Sequence, residues 1–111
     1  MKNHEGYSDP TASKAIANVM REQRRKKKME LKDTIEMMQS DDFKERFKAE
    51  YLQTKIRYDK LHQMIVKYEA GTLNFEPKCS IELLKRQASH MGYYLMILEV
   101  RAEIEGINLY V

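Results

Sequence analysis

Seven residues, Phe47, Tyr51, Thr54, Tyr58, Leu61, Ile65 and Tyr68, follow one another at alternating steps of four and three. On an α-helix this spacing lays them along one stripe, the seam that a helix presents to a partner helix. Phe43 extends the stripe backwards. Ser40-Asp41-Asp42 marks the start, with Ser as the N-cap and two carboxylates in a first turn whose dipole favours them. Gly71 is placed to stop it. A helix over 41–70 spans about 45 Å.

The connector GTLNFEPKC, residues 71–79, carries Leu73 and Phe75, which predicts a segment pinned to the helices. A further helix begins near Cys79 or Ser80. Leu84, Ala88, Met91, Leu95, Leu98 and Ala102 repeat the same steps, a neighbouring stripe runs Gln87, Met91, Tyr94, Leu98, Arg101, and Gly106 ends the helix. Two helices with matching stripes and a short connector predict an antiparallel helical hairpin over 41–111. The chain's four Gly and two Pro are too few for an all-β fold, which turns every ten residues or so, or for a Gly-rich phosphate loop. The expected class is all-α. One stripe per helix leaves Leu52, Ile56, Tyr93 and Ile97 uncovered, and small domains of this kind gain stability by association. A homo-oligomer, at least a dimer, is expected.

Residues 1–40 form a separate basic arm in this reading. Asp9-Pro10 is a helix-start pair, and Ala12, Ala15, Ile16, Val19 and Met20 make a short apolar face. Arg21, Arg24, Arg25, Lys26, Lys27 and Lys28 follow, and have two readings: a helix face that tracks a phosphate backbone, or a solubilising linker. A net charge of +3 does not make the whole chain a polycation. The polar start MKNHEGYSDP has no signal-peptide character, and no apolar run approaches the roughly 20 residues of a membrane span. One cysteine excludes a disulfide framework and a cysteine-based zinc site, and points to a reducing, intracellular compartment.

Little in the sequence is arranged for catalysis. His4, His62 and His90 are far apart and make no metal-binding pair; Glu99 and Glu103 read as a solvated helix face. Cys79 sits at a helix start, with no base evident beside it. No catalytic residue, metal site or cofactor is expected. The basic residues are better placed. Lys44, Arg46, Lys48, Lys55, Arg57 and Lys60 accompany Phe47, Tyr51 and Tyr58, and a cation near an aromatic ring suits a nucleotide, whose phosphate it neutralises while the ring stacks on the base. Lys60 lies off the apolar stripe, with Arg57 three residues earlier on the same face, so the two can hold two phosphates. Arg101 falls on a stripe, where an unpaired guanidinium is costly. Either a Glu pairs with it or it lines a second anionic site.

Residues Arg46, Glu50, Arg57, Lys60-Leu61 and Met64-Ile65, followed by Leu83-Leu84, Gln87, Met91, Tyr94, Leu98 and Arg101, resemble a phage hairpin family, the anti-CBASS cyclic-nucleotide sponges. A related hairpin occurs in Thoeris anti-defence sponges. The resemblance covers residues 43–106. It implies a small helical oligomer, typically a hexamer, in the cytoplasm of an infected bacterium. It implies binding, without cleavage, of cyclic di- or trinucleotides or cyclic ADP-ribose isomers made by bacterial immune enzymes. The family's phosphate-binding lysine matches Lys60. The next polar position is His62, where relatives carry small hydroxyl residues. The family's stacking aromatic falls near Glu45, which is flanked by Phe43 and Phe47, so either ring is a candidate. A nucleic-acid-binding regulator that uses residues 21–28 and a purely structural oligomerisation protein are the competing functions.

Overall fold

The computed structural model describes residues 29–110. The expected helix start at Asp9-Pro10 and the basic run 21–28 lie outside the described residues. Within them the fold is all-α: a 3-10 turn at Leu31–Thr34, α1 at Ile35–Met38, α2 at Phe43–Ala70 and α3 at Ile81–Glu105. None of these helices is long and apolar enough to cross a membrane.

The ends of the two long helices are set by local chemistry. The N-cap of α2 is Asp42, two residues after the expected Ser40; its carboxylate accepts the Lys44 N–H at 2.9 Å. Ser40 acts one step earlier, its Oγ accepting the Asp42 N–H at 3.0 Å. At the other end Gly71 takes a φ of 78°, a left-handed conformation that needs no Cβ. Thr72 and Leu73 then donate their N–H groups to the Lys67 carbonyl at 2.9 and 3.2 Å. Ser80 caps α3 by accepting the Leu83 N–H at 3.2 Å, and Gly106 ends it at a φ of 70°.

Contacts between α2 and α3 run in opposite order along the two helices. Lys44 Nζ donates to the Gly106 carbonyl at 3.5 Å, Tyr51 Oη bonds Glu99 at 2.6 Å, Tyr58 packs over Gly92, and Lys85 pairs with Glu69 at 2.7 Å. The pair is therefore antiparallel. The Tyr58 ring lies over Gly92 at a distance where a Cβ would still make ordinary van der Waals contact, 3.5 Å from Tyr58 Cε1.

The core occupies one end of this pair. Phe47 and Tyr51 of α2 meet Leu95, Leu98 and Ala102 of α3, and Ile107 and Leu109 of the C-terminal tail close the cluster. Towards the connector the same stripes are only half-buried at Leu61, Ile65, Leu84 and Ala88, and Tyr68 is exposed. Two expectations change. Leu52 is packed against the core rather than left uncovered. In the connector Leu73 is half-buried, but Phe75 is 54% exposed and pins nothing.

The segment before α2 rests on the hairpin. Thr34 is fully buried; its Oγ1 donates to the Leu31 carbonyl at 2.7 Å and accepts from Gln53 Nε2 at 2.8 Å. Removing residues 1–39 strips both bonds and leaves the Gln53 amide without its partner. Compared with a chain beginning at residue 29, that truncation is expected to retain its helical circular dichroism. It is expected to lose about 1–3 kcal/mol of stability in urea titrations. Equal stability of the two chains would show that residues 29–39 add nothing to the fold.

Candidate functional site

Several basic side chains are already committed. Lys48 pairs with Glu45 at 3.3 Å, Lys55 with Asp59 at 3.1 Å, and Lys85 with Glu69. Arg46 donates through Nη1 to the Ser40 carbonyl at 2.8 Å. Arg57, Lys60 and Lys67 are exposed, and among the described residues no carboxylate pairs with them. A cation without a fixed counter-ion is the kind that an anionic ligand can recruit without first breaking a pair.

Two open concavities of about 340 Å³ each lie at opposite ends of the hairpin. The first, beside the core, is bordered by Glu99, Glu103, Asn108 and Tyr110. Behind it, burial and then the hydrogen bond to the Glu99 carboxylate push the Tyr51 hydroxyl well above the ordinary tyrosine range, so Tyr51 keeps its proton. With two carboxylates on its border, this concavity repels an anion. The second lies where α2 runs into the connector. Lys60, Gln63, Met64 and Lys67 line it from the helix, and Thr72, Leu73, Asn74 and Phe75 from the connector. It has two ammonium groups, two amides, a hydroxyl, an aromatic ring and no carboxylate. Of the two, only this one has the charge for a phosphate.

The structure separates the residues singled out in the sequence into two groups. Lys60 lines the basic concavity, with Arg57 one turn earlier on α2. His62 is exposed and stacks on Tyr58, ring centroids 5.9 Å apart and planes within 10°. Phe43, Phe47 and Arg101 lie at the other end of the hairpin. Phe47 is 3% exposed, with the Phe43 ring edge-on at 6.0 Å and the Arg101 guanidinium 4.8 Å from its centroid. Phe43 is 48% exposed and keeps an accessible ring. Arg101 does find a Glu: its Nε donates to Glu105 at 3.1 Å. From Phe43 to Lys60 is seventeen positions, about 25 Å along the helix axis. Within one chain those two cannot share a nucleotide. Lys67, Gln63, Asn74 and Phe75 were not singled out in the sequence. Only Lys67, two turns after Lys60, was findable there by helical spacing; the connector residues needed the fold.

Among the described residues no cluster of His, Cys, Asp and Glu is arranged to hold a metal ion. No curated protein and no solved structure matches the chain. A family model described as Sequestin matches residues 41–104, which takes in both long helices, the connector and the basic concavity between them. The description denotes sequestration, a binding role rather than a catalytic one. Because the match covers more than half of the chain and coincides with the capped hairpin, the chain belongs to the Sequestin family.

Proposed function

We propose that this protein is a phage anti-defence sponge that binds and sequesters cyclic oligonucleotide immune signals, or cyclic ADP-ribose isomers, in the host cytoplasm without cleaving them. The observation that carries this reading is the position of Lys60. The lysine matched to the sponges' phosphate-binding residue lines the concavity that has cations and no carboxylate. Arg57 supplies a second cation on the same side of α2, whereas His62, two positions past Lys60, lies on another side of the helix and stacks on Tyr58. Within one chain Phe43 lies too far from Lys60 to stack on a nucleotide held there. The exposed apolar stripe of α3, Tyr93, Met96, Ile97, Val100 and Ile104, supports association. A second anionic site at a subunit junction would draw on Arg101 only in competition with its pair to Glu105.

The test is a thermal-shift screen of the full chain against cyclic di- and trinucleotides and cyclic ADP-ribose, followed by chromatography of the released ligand. A ligand at 100 times its Kd stabilises the fold by about 2.7 kcal/mol. Recovery of the ligand unchanged is expected; a cleaved product would overturn the sponge reading. Lys60→Ala is expected to leave melting temperature and oligomer size unchanged and to weaken binding by roughly tenfold or more, about 1.4 kcal/mol. Unchanged affinity would remove Lys60 from the site.

A further inference from the structure

Phe75 is an aromatic ring that the fold leaves 54% exposed on a short connector, beside two unpaired lysines. Backbone bonds fix the start of that connector, two residues before the ring. Thr72 and Leu73 both donate to the Lys67 carbonyl, so the chain leaves α2 from a fixed point. Pro77 further narrows the conformations of Glu76. Half-buried Leu73 and Met64 give the concavity an apolar floor.

Lys60 and Lys67 are seven positions apart, two helical turns, and lie on nearly the same side of α2 about 10 Å apart along its axis. The negative end of the α2 dipole is close to Lys67, but Gly71, Thr72 and Leu73 already engage its final carbonyls. That field is confined to the last turn, which Lys60 lies outside. The ring, the cations and the amides of Gln63 and Asn74 therefore surround one space. The amides carry both donors and acceptors, as the edge of a base requires.

We infer that Phe75 is the base platform and Lys67 the second phosphate contact, so that the nucleotide site is complete within a single chain and needs no ring from a neighbour. The inference rests on the sponge reading and makes it more specific. Phe43 lies about 25 Å from Lys60 along α2, whereas base and phosphate in a nucleotide are separated by one sugar. Phe75 needs no second chain to meet that limit.

The test is isothermal titration of the full-length protein with two probes, cyclic di-AMP and cyclic tri-AMP. Phe75→Ala and Lys67→Ala are each expected to weaken the probe that binds by roughly tenfold or more, and Phe75→Tyr to hold it within about threefold. Phe43→Ala is expected to leave affinity unchanged. Both rings are exposed, so circular dichroism should match wild type for all these variants. In protein labelled with 4-fluorophenylalanine, the fluorine resonance that disappears in Phe75→Tyr is expected to be the one the probe shifts. Full affinity in Phe75→Ala, or loss of affinity in Phe43→Ala, would overturn the single-chain site and leave the sponge reading standing. Failure of wild type to bind either probe would overturn the single-chain site for cyclic oligonucleotides, and failure with cyclic ADP-ribose as well would overturn the sponge reading.

Discussion

Phe47→Ala is expected to lower the unfolding free energy by about 3–5 kcal/mol, read from urea titration by circular dichroism. Small domains have roughly 5–15 kcal/mol in total, so the variant should be close to unfolding at ordinary temperatures. The ring is buried between helices that cross it from both sides of the sequence, with Leu95, Leu98 and Ala102 from α3 and Ile107 and Leu109 from the tail in the same cluster. Removing it opens a cavity that these residues can fill only by shifting α3. It also takes away the surface on which the Arg101 guanidinium lies, 4.8 Å from the ring centroid. Phe43, four residues earlier and half-exposed, is the control: Phe43→Ala should cost about 1 kcal/mol or less. Similar losses from the two variants would mean that the core extends over Phe43 and that its ring is not available to any ligand.

This contrast marks where the sequence is readable and where it is not. Helix ends depend on residues within a few positions of one another, so Gly71 and Gly106 could be recognised from local spacing and the two helix starts placed to within two residues, at Ser40 instead of Asp42 and at Cys79 or Ser80. A heptad stripe shows which residues face a partner, but says nothing about what the partner brings to each level. The stripe from Phe47 to Tyr68 is uniform in sequence, yet it is buried at Phe47 and Tyr51 and exposed at Tyr68. The difference comes from the tail. After Gly106, Ile107 and Leu109 alternate with outward-facing Asn108 and Tyr110 and fill the space at the first end only. Four residues are too few for a periodic signal, and no role was assigned to them. Thr34 is similar: a lone threonine in a polar segment, buried because Gln53, nineteen positions away, reaches its hydroxyl. The candidate site divides in the same way. Lys60 was visible from one helix face, whereas Phe75 acquires meaning only when the connector folds back beside Lys60 and Lys67.

The double variant Ile97→Glu, Val100→Glu is expected to convert the protein to a monomer in sedimentation velocity at micromolar concentration. Tyr93, Ile97, Val100 and Ile104 step by four, three and four along α3, with Met96 beside them. They form a second seam on the side of the helix away from the Leu95–Leu98–Ala102 core. Tyr93 is 63% exposed and Ile104 79%, so nothing among the described residues covers this face. A specific interface buries about 800 Å² per partner, and a helix face with five large apolar residues can supply much of that area. In a monomer the two glutamates are solvated and favourable to helix, so melting temperature should not drop through the fold itself. In an interface each carboxylate is buried without a partner. At about 2 kcal/mol apiece, the pair would weaken association by roughly a thousandfold. If the seam holds subunits together, Lys60→Ala and this double variant separate two properties: the first loses ligand but not assembly, the second loses assembly. A single-chain site then predicts that the monomeric variant still binds the probe, whereas a ring supplied by Phe43 of a neighbour predicts that binding disappears with the oligomer.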